Sequence, residues 1–228
     1  MARRWRILLL LGVAVVLLVV VALVILDRAA RHVPEFYRRA LVDDAAARAR
    51  ASDEMLRRAA ALGGDVKQPG RWRALFTAEQ LNGWLAVDLP RNHPGTLPPE
   101  VEDPRVAIEG GRVLFGCGYR RGEESHVLWA SVEPSLPKPN LLVLRITEAR
   151  VGKVPLPRRE LIARLSEAAA SAGWALRWQD AGGDPVALLH LGGLIDTHRN
   201  LRVVVDTLRL GDGEVFLSGT TDRTGGQP

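Results

Sequence analysis

The spacing of hydrophobic and polar positions changes repeatedly along the chain, and each change predicts an element. Ile7 to Leu26 is an unbroken apolar run. As a helix rising about 1.5 Å per residue it would be roughly 30 Å long, the hydrocarbon thickness of a bilayer, which predicts a membrane-spanning segment. No A-x-A-like cleavage site follows it, so the run reads as an uncleaved signal anchor. From Glu35 to Leu62 no Gly or Pro interrupts a stretch rich in Ala, Arg and Leu, and Gly63-Gly64 closes it. That pattern predicts one long membrane-proximal helix. A second helix is announced by Thr77-Ala78-Glu79-Gln80, a capping box, with Leu81, Trp84, Leu85 and Leu89 on one stripe and Pro90 as the stop.

After the proline-rich segment from Pro90 to Pro104 the period becomes two. Val106 and Ile108 alternate into Gly110-Gly111, and Val113, Phe115, Cys117 and Tyr119 continue on the return strand. This predicts a hairpin in which Ile108 faces Val113 and Val106 faces Phe115. Strands follow at 126–133 and 141–151, turned by Leu136 to Asn140. A third helix follows at 158–172, stopped by Gly173. Further strands are expected at 174–179, 186–191, 201–210 and 214–220. Strands in runs with helices between them argue for an α+β fold: an N-terminal transmembrane helix, then a curved, mainly antiparallel sheet packed with about three helices. The expected organisation is a cytoplasmic tail (1–6), the anchor (7–26), the membrane-proximal helix (27–64), an extracytoplasmic domain (65–223) and a disordered tail (224–228).

Charge adds less than the total suggests. The chain is formally +5, but beyond Arg3, Arg4 and Arg6 the count is 28 basic against 26 acidic side chains, or +2. A nucleic-acid partner would need a clustered basic face, so none is expected. Long domains translocate largely regardless of flanking charge, which places the bulk of the chain outside the bacterial cytoplasmic membrane with the N-terminus inside. The single cysteine, Cys117, excludes an intrachain disulfide.

The search for chemistry yields little. The five histidines form no metal-ligand spacing, and no nucleophile elbow, Walker loop or S-x-x-K is present, so the expectation is a non-enzyme without metal or cofactor. Gly116-Cys117-Gly118 lies on a strand and not at a strand-to-helix turn; its glycines permit a sharp bend or close approach of another chain or ligand opposite Cys117. Asp180 to Pro185 has the composition of a turn before that of a calcium loop. Five tryptophans lie beyond the anchor region, and Trp174, Leu176 and Trp178 alternate onto one strand face. With Phe115 and Trp129 they are either core or the lining of an apolar groove.

Val33 to Tyr37 (V-P-x-F-Y), Phe76 to Asn82 (F-T-x-x-Q-L-N) and the strand end Arg150 to Pro157 leading into a helix together resemble the YpmS-like family of membrane-anchored bacterial proteins. The resemblance implies no functional residues. A long curved sheet cradling helices is also similar, at the level of fold, to tubular lipid-binding proteins, which implies an apolar channel. The function expected is therefore an envelope protein whose exported domain binds a lipid or other apolar ligand through Phe115, Trp129, Trp174, Leu176 and Trp178. The alternative is a scaffold or regulatory subunit with a protein partner in the envelope.

Overall fold

In the computed structural model, which describes residues 28–42, 44–171, 173–191 and 201–223, the stretch expected as one helix divides in two. Helix α1 spans Glu35–Ala40 and α2 spans Ala45–Val66. The break has a local cause. Asp44 is extended (φ −73°, ψ 157°) and its side chain accepts from the Ala47 amide at 2.7 Å, so it starts a new helix where a continuous one would have left that carboxylate idle. The amides of Ala47 and Ala46 hold its carboxyl below the usual aspartate range. Nor does Gly63-Gly64 end the helix, which runs on to Val66. Glycine costs a helix interior about 1 kcal/mol, too little to stop a helix docked on its neighbours.

Strand β1 (Gly70–Thr77) leads into α3 (Ala78–Asn92), and between them the expected capping box is complete: Thr77 Oγ1 accepts from Gln80 N at 3.2 Å and Gln80 Oε1 accepts from Thr77 N at 3.1 Å. Pro90 lies inside the last turn of α3 and the helix continues two residues past it. The strands that follow are β2 (Val101–Glu109), β3 (Arg112–Arg121), β4 (Glu124–Lys138), β5 (Leu141–Val151) and the short β6 (Val154–Pro155). Helix α4 (Arg158–Ser171) precedes β7 (Leu176–Ala181), β8 (Asp184–His190), β9 (Leu201–Gly211) and β10 (Glu214–Arg223). The expected register of the first hairpin holds, with Ile108 opposite Val113 and Val106 opposite Phe115. Gly173, at φ 76°, follows α4 and bonds back to Ala170 O at 3.0 Å, as a helix-ending glycine does.

The expected architecture is corrected on two counts. Among the described residues no helix is long and apolar enough to cross a membrane; the anchor expected at 7–26, like the tail at 224–228, lies outside them. And the strands of the described residues form two antiparallel sheets where one was expected, accompanied by helices α1 to α4. The larger sheet has the order β2-β3-β4-β5-β8-β7, with β6 also on β5; the smaller has the order β1-β10-β9. Strand β1 was absent from the expectation, although its alternation buries Trp72 and Phe76. Strand β4 also runs four residues beyond Pro134, so the turn into β5 is only Pro139-Asn140.

Two asparagines join these parts by acting as short pieces of strand. Asn82, buried on α3, donates from Nδ2 to Val106 O at 2.9 Å and accepts at Oδ1 from Val106 N at 2.7 Å, closing the edge of β2. Asn140, at φ 60° in the β4–β5 turn, does the same for β9. Its Oδ1 accepts from Val205 N at 2.7 Å, its Nδ2 donates to Val203 O at 3.0 Å, and its own amide donates to Val205 O at 3.0 Å. Each device satisfies groups that an open sheet edge would otherwise leave to water or to another chain.

Candidate functional site

Side chains alternate across a strand, so the register sorts the expected groove residues into faces. Gly116 pairs with Trp129, and Phe115 pairs with Ala130; Trp129 therefore lies on the opposite side of the sheet from Phe115. Trp178 pairs with Ala187 and Ala187 with Leu144, while Leu176 pairs with Leu189, which brings Leu176 and Trp178 onto the Phe115 side. Four strand spacings separate β3 from β7, roughly 19 Å at the usual inter-strand distance. Trp174 falls in the connection before β7 and is half exposed. The five candidates thus do not line one groove: three share a face, one is behind it and one is beside it.

Trp129 is accounted for as core. Its indole N–H donates to Gly152 O at 2.6 Å, Phe36 of α1 packs edge-on at 6.1 Å between ring centroids, and the Arg150 guanidinium lies 5.9 Å over the ring. Gly116 makes this packing feasible, since a Cβ there would come within 2.9 Å of Tyr37 and 3.1 Å of Phe36. The close approach at Gly116 is thus made by α1 of this chain, and not by the other chain or ligand that the Gly-Cys-Gly pattern suggests.

The other face is covered unevenly, and Leu136 near the end of β4 packs against Trp72, Val203 and Val205 of the smaller sheet. Cys117, Ile108, Ile146, Ala187 and Leu189 are sealed, but Val113, Leu128, Val132, Leu144 and Trp178 are only partly covered and Phe115 is 37% exposed. Helix α4 crosses this face near its β7 end, where Trp178 Nε1 donates to Ser166 Oγ at 2.8 Å. Chemically this face offers mainly apolar contact, with the paired Tyr119 and His126 at its end toward the β3–β4 turn.

Cys117 lies on it at 3% exposure, and burial pushes its thiol from an ordinary value of 9.0 up to about 11. The folded state therefore holds this proton more tightly than the unfolded chain. The resulting stability is complete below the unfolded thiol's pKa and is lost as pH rises toward the folded one. We expect slow labelling by iodoacetamide in the native protein and rapid labelling in urea, and we expect Cys117→Ala to flatten the fall in urea midpoint above pH 9. Equal labelling rates in the two states would show this face open down to Cys117.

A second arrangement was not visible in the sequence. A cavity of about 690 Å³ lies where the C-terminal turns of α3 meet the proline-rich connection and the start of β2. Leu85, Leu89, Leu97 and several prolines wall it, and Arg105 and Arg120 line it. Arg105 is 1% exposed; its Nε donates to Ala40 O at 3.2 Å and its Nη1 to Pro104 O at 2.8 Å. Its nearest carboxylate, Asp103, stands 3.7 Å from Nη2, beyond hydrogen-bond length. Asp103 is held at φ 46° where the β2 ladder shifts register, and its carbonyl accepts from the Tyr37 hydroxyl at 3.0 Å. Burial, reinforced by the Asp103 carboxylate, pushes that phenol up to about 12.

The Asp180–Pro185 segment is a turn, in which Asp180 Oδ1 accepts from Gly183 N at 3.0 Å and the other carboxylate oxygen pairs with Arg158. No group of three or more His, Cys, Asp or Glu converges among the described residues. No family model, curated protein or solved structure matches this chain.

Proposed function

We propose that this domain is a non-enzymatic binding module for an elongated apolar ligand, in chemical terms a lipid acyl chain, held on the open face of the larger sheet beside α4. The observation that supports this reading is the exposure of Phe115 among partly covered apolar neighbours. The register places Val113, Phe115, Leu128, Val132, Leu144 and Trp178 on one face and leaves them partly in water, while α1 covers the other face over β3 and β4. Apolar area left in water carries about 25 cal/mol per Å², and Phe115 is the most exposed of these side chains. An acyl chain fits the apolar stretch of this face, which Tyr119 and His126 border at one end.

The test uses the full chain and a palmitic acid carrying a photoactivatable diazirine, with adducts mapped by peptide mass spectrometry. Adducts are expected on β3, β4 and β7. Phe115→Arg removes about 1.5 kcal/mol or more of apolar contact and should lower their yield roughly tenfold without lowering the melting temperature. Adducts spread evenly over the chain, or unaffected by Phe115→Arg, would refute the reading.

A further inference from the structure

We infer that the cavity between α3, the proline-rich connection and β2 is a separate binding site, for a small organic acid with a short apolar body. The inference does not depend on the sheet face. Its centre is Arg105, a buried cation with two carbonyls as hydrogen-bond partners and one long ion pair, to Asp103 at 3.7 Å, but no carboxylate within hydrogen-bond distance among the described residues. A buried charge is normally paired as well as hydrogen-bonded, because desolvating it is otherwise costly. Here the counter-charge is close but misplaced.

The misplaced group is Asp103. Its side chain is 66% exposed, 3.7 Å from Arg105, and its backbone occupies a left-handed conformation that aspartate adopts at some cost. An incoming carboxylate can take its place on Arg105 Nη2 while Asp103 turns outward to water. The walls define the rest of the ligand. Leu85, Leu89, Leu97 and the prolines accept a short hydrocarbon body, and 690 Å³ lies within the range of small-molecule sites. Arg120 stands at the rim in an ion pair with Glu102 at 2.6 Å, so the rim itself is balanced and the more loosely paired cation, Arg105, lies deeper.

Isothermal titration of the full chain with hexanoate tests this, with hexanol and inorganic phosphate as the two control ligands. Saturable binding of hexanoate is expected, and hexanol and phosphate, each lacking one half of the recognition, should bind at least tenfold more weakly. Asp103→Asn removes the competing carboxylate and suits the positive φ; it should tighten hexanoate two- to fivefold, about the worth of an exposed ion pair. Leu97→Trp, which fills the cavity and leaves Arg105 in place, should abolish binding, and it replaces Arg105→Gln, which would test folding as much as recognition. Hexanol equal to hexanoate would overturn the role of Arg105, phosphate equal to hexanoate would overturn the apolar body, and an unchanged Asp103→Asn would overturn the exchange. Because none of these substitutions touches Phe115 or Trp178, failure here leaves the sheet-face experiment unaffected.

Discussion

Replacing Asn82 by leucine is expected to destabilise the protein by about 3 kcal/mol, the largest loss from any single polar side chain here. Leucine fills a similar volume, so the cost is not a cavity. It arises because Val106 N–H and C=O, buried between α3 and β2, lose both of their partners at once. An orphaned buried polar group costs about 1–3 kcal/mol, and two are orphaned together. Asn82→Asp is the informative control. Its carboxylate still accepts from the Val106 amide but presents a second acceptor to the Val106 carbonyl, so it should destabilise nearly as much while keeping the shape. Urea unfolding monitored by tryptophan fluorescence would read both variants. A loss below about 1 kcal/mol for Asn82→Leu would mean that water replaces the amide and that the β2 edge is open.

The second large effect is expected at the adjacent residue. A Cβ at Gly83 would lie 2.5 Å from Ser52 N and 2.7 Å from the Ala51 Cβ, both on α2. Ala51 and Ser52 are themselves buried, so the two helices touch there at backbone distance. Gly83→Val must push α2 and α3 apart, and overpacking of this kind costs about 3 kcal/mol. In a domain of this size that is a fall in melting temperature of roughly 6–12 °C. Ala51→Gly should restore only part of the loss, because removing that methyl leaves the backbone of Ser52 in the way. Full rescue would show that the contact is between side chains alone.

These two residues show where the sequence was legible and where it was not. Phe76 to Asn82 stood out as a motif, and its first part was readable in full: Thr77 and Gln80 satisfy each other within a single turn. Asn82 looked like an ordinary polar helix residue, because its partner is 24 positions away on a strand whose edge exists only once the sheet has formed. Arg105 was hidden in the same way. It directly precedes the alternation of Val106 and Ile108, which is a signal, but the carbonyl it caps belongs to Ala40 at the end of α1. The groove candidates Phe115, Trp129, Trp174, Leu176 and Trp178 fall apart for a related reason. All five are large and apolar, and sequence carries no record of which sheet face each occupies when the strands come from distant segments. Trp129 and Phe115 belong to neighbouring strands of one meander and still point in opposite directions.

By itself the sequence determined whatever a few neighbouring residues can settle: the capping box, the β2–β3 register, the stop of α4 at Gly173 and the burial of Cys117 on its strand. The tertiary structure decided the rest: the division of the strands into two sheets, the break before Asp44 in a run that reads as one helix, the closing of sheet edges by Asn82 and Asn140, and the cavity around Arg105. The physical reason is range. Hydrogen bonds across a turn depend on spacing alone, whereas the Asn140–Val205 bond spans 65 residues and becomes available only when packing has brought two separate sheets to the same place.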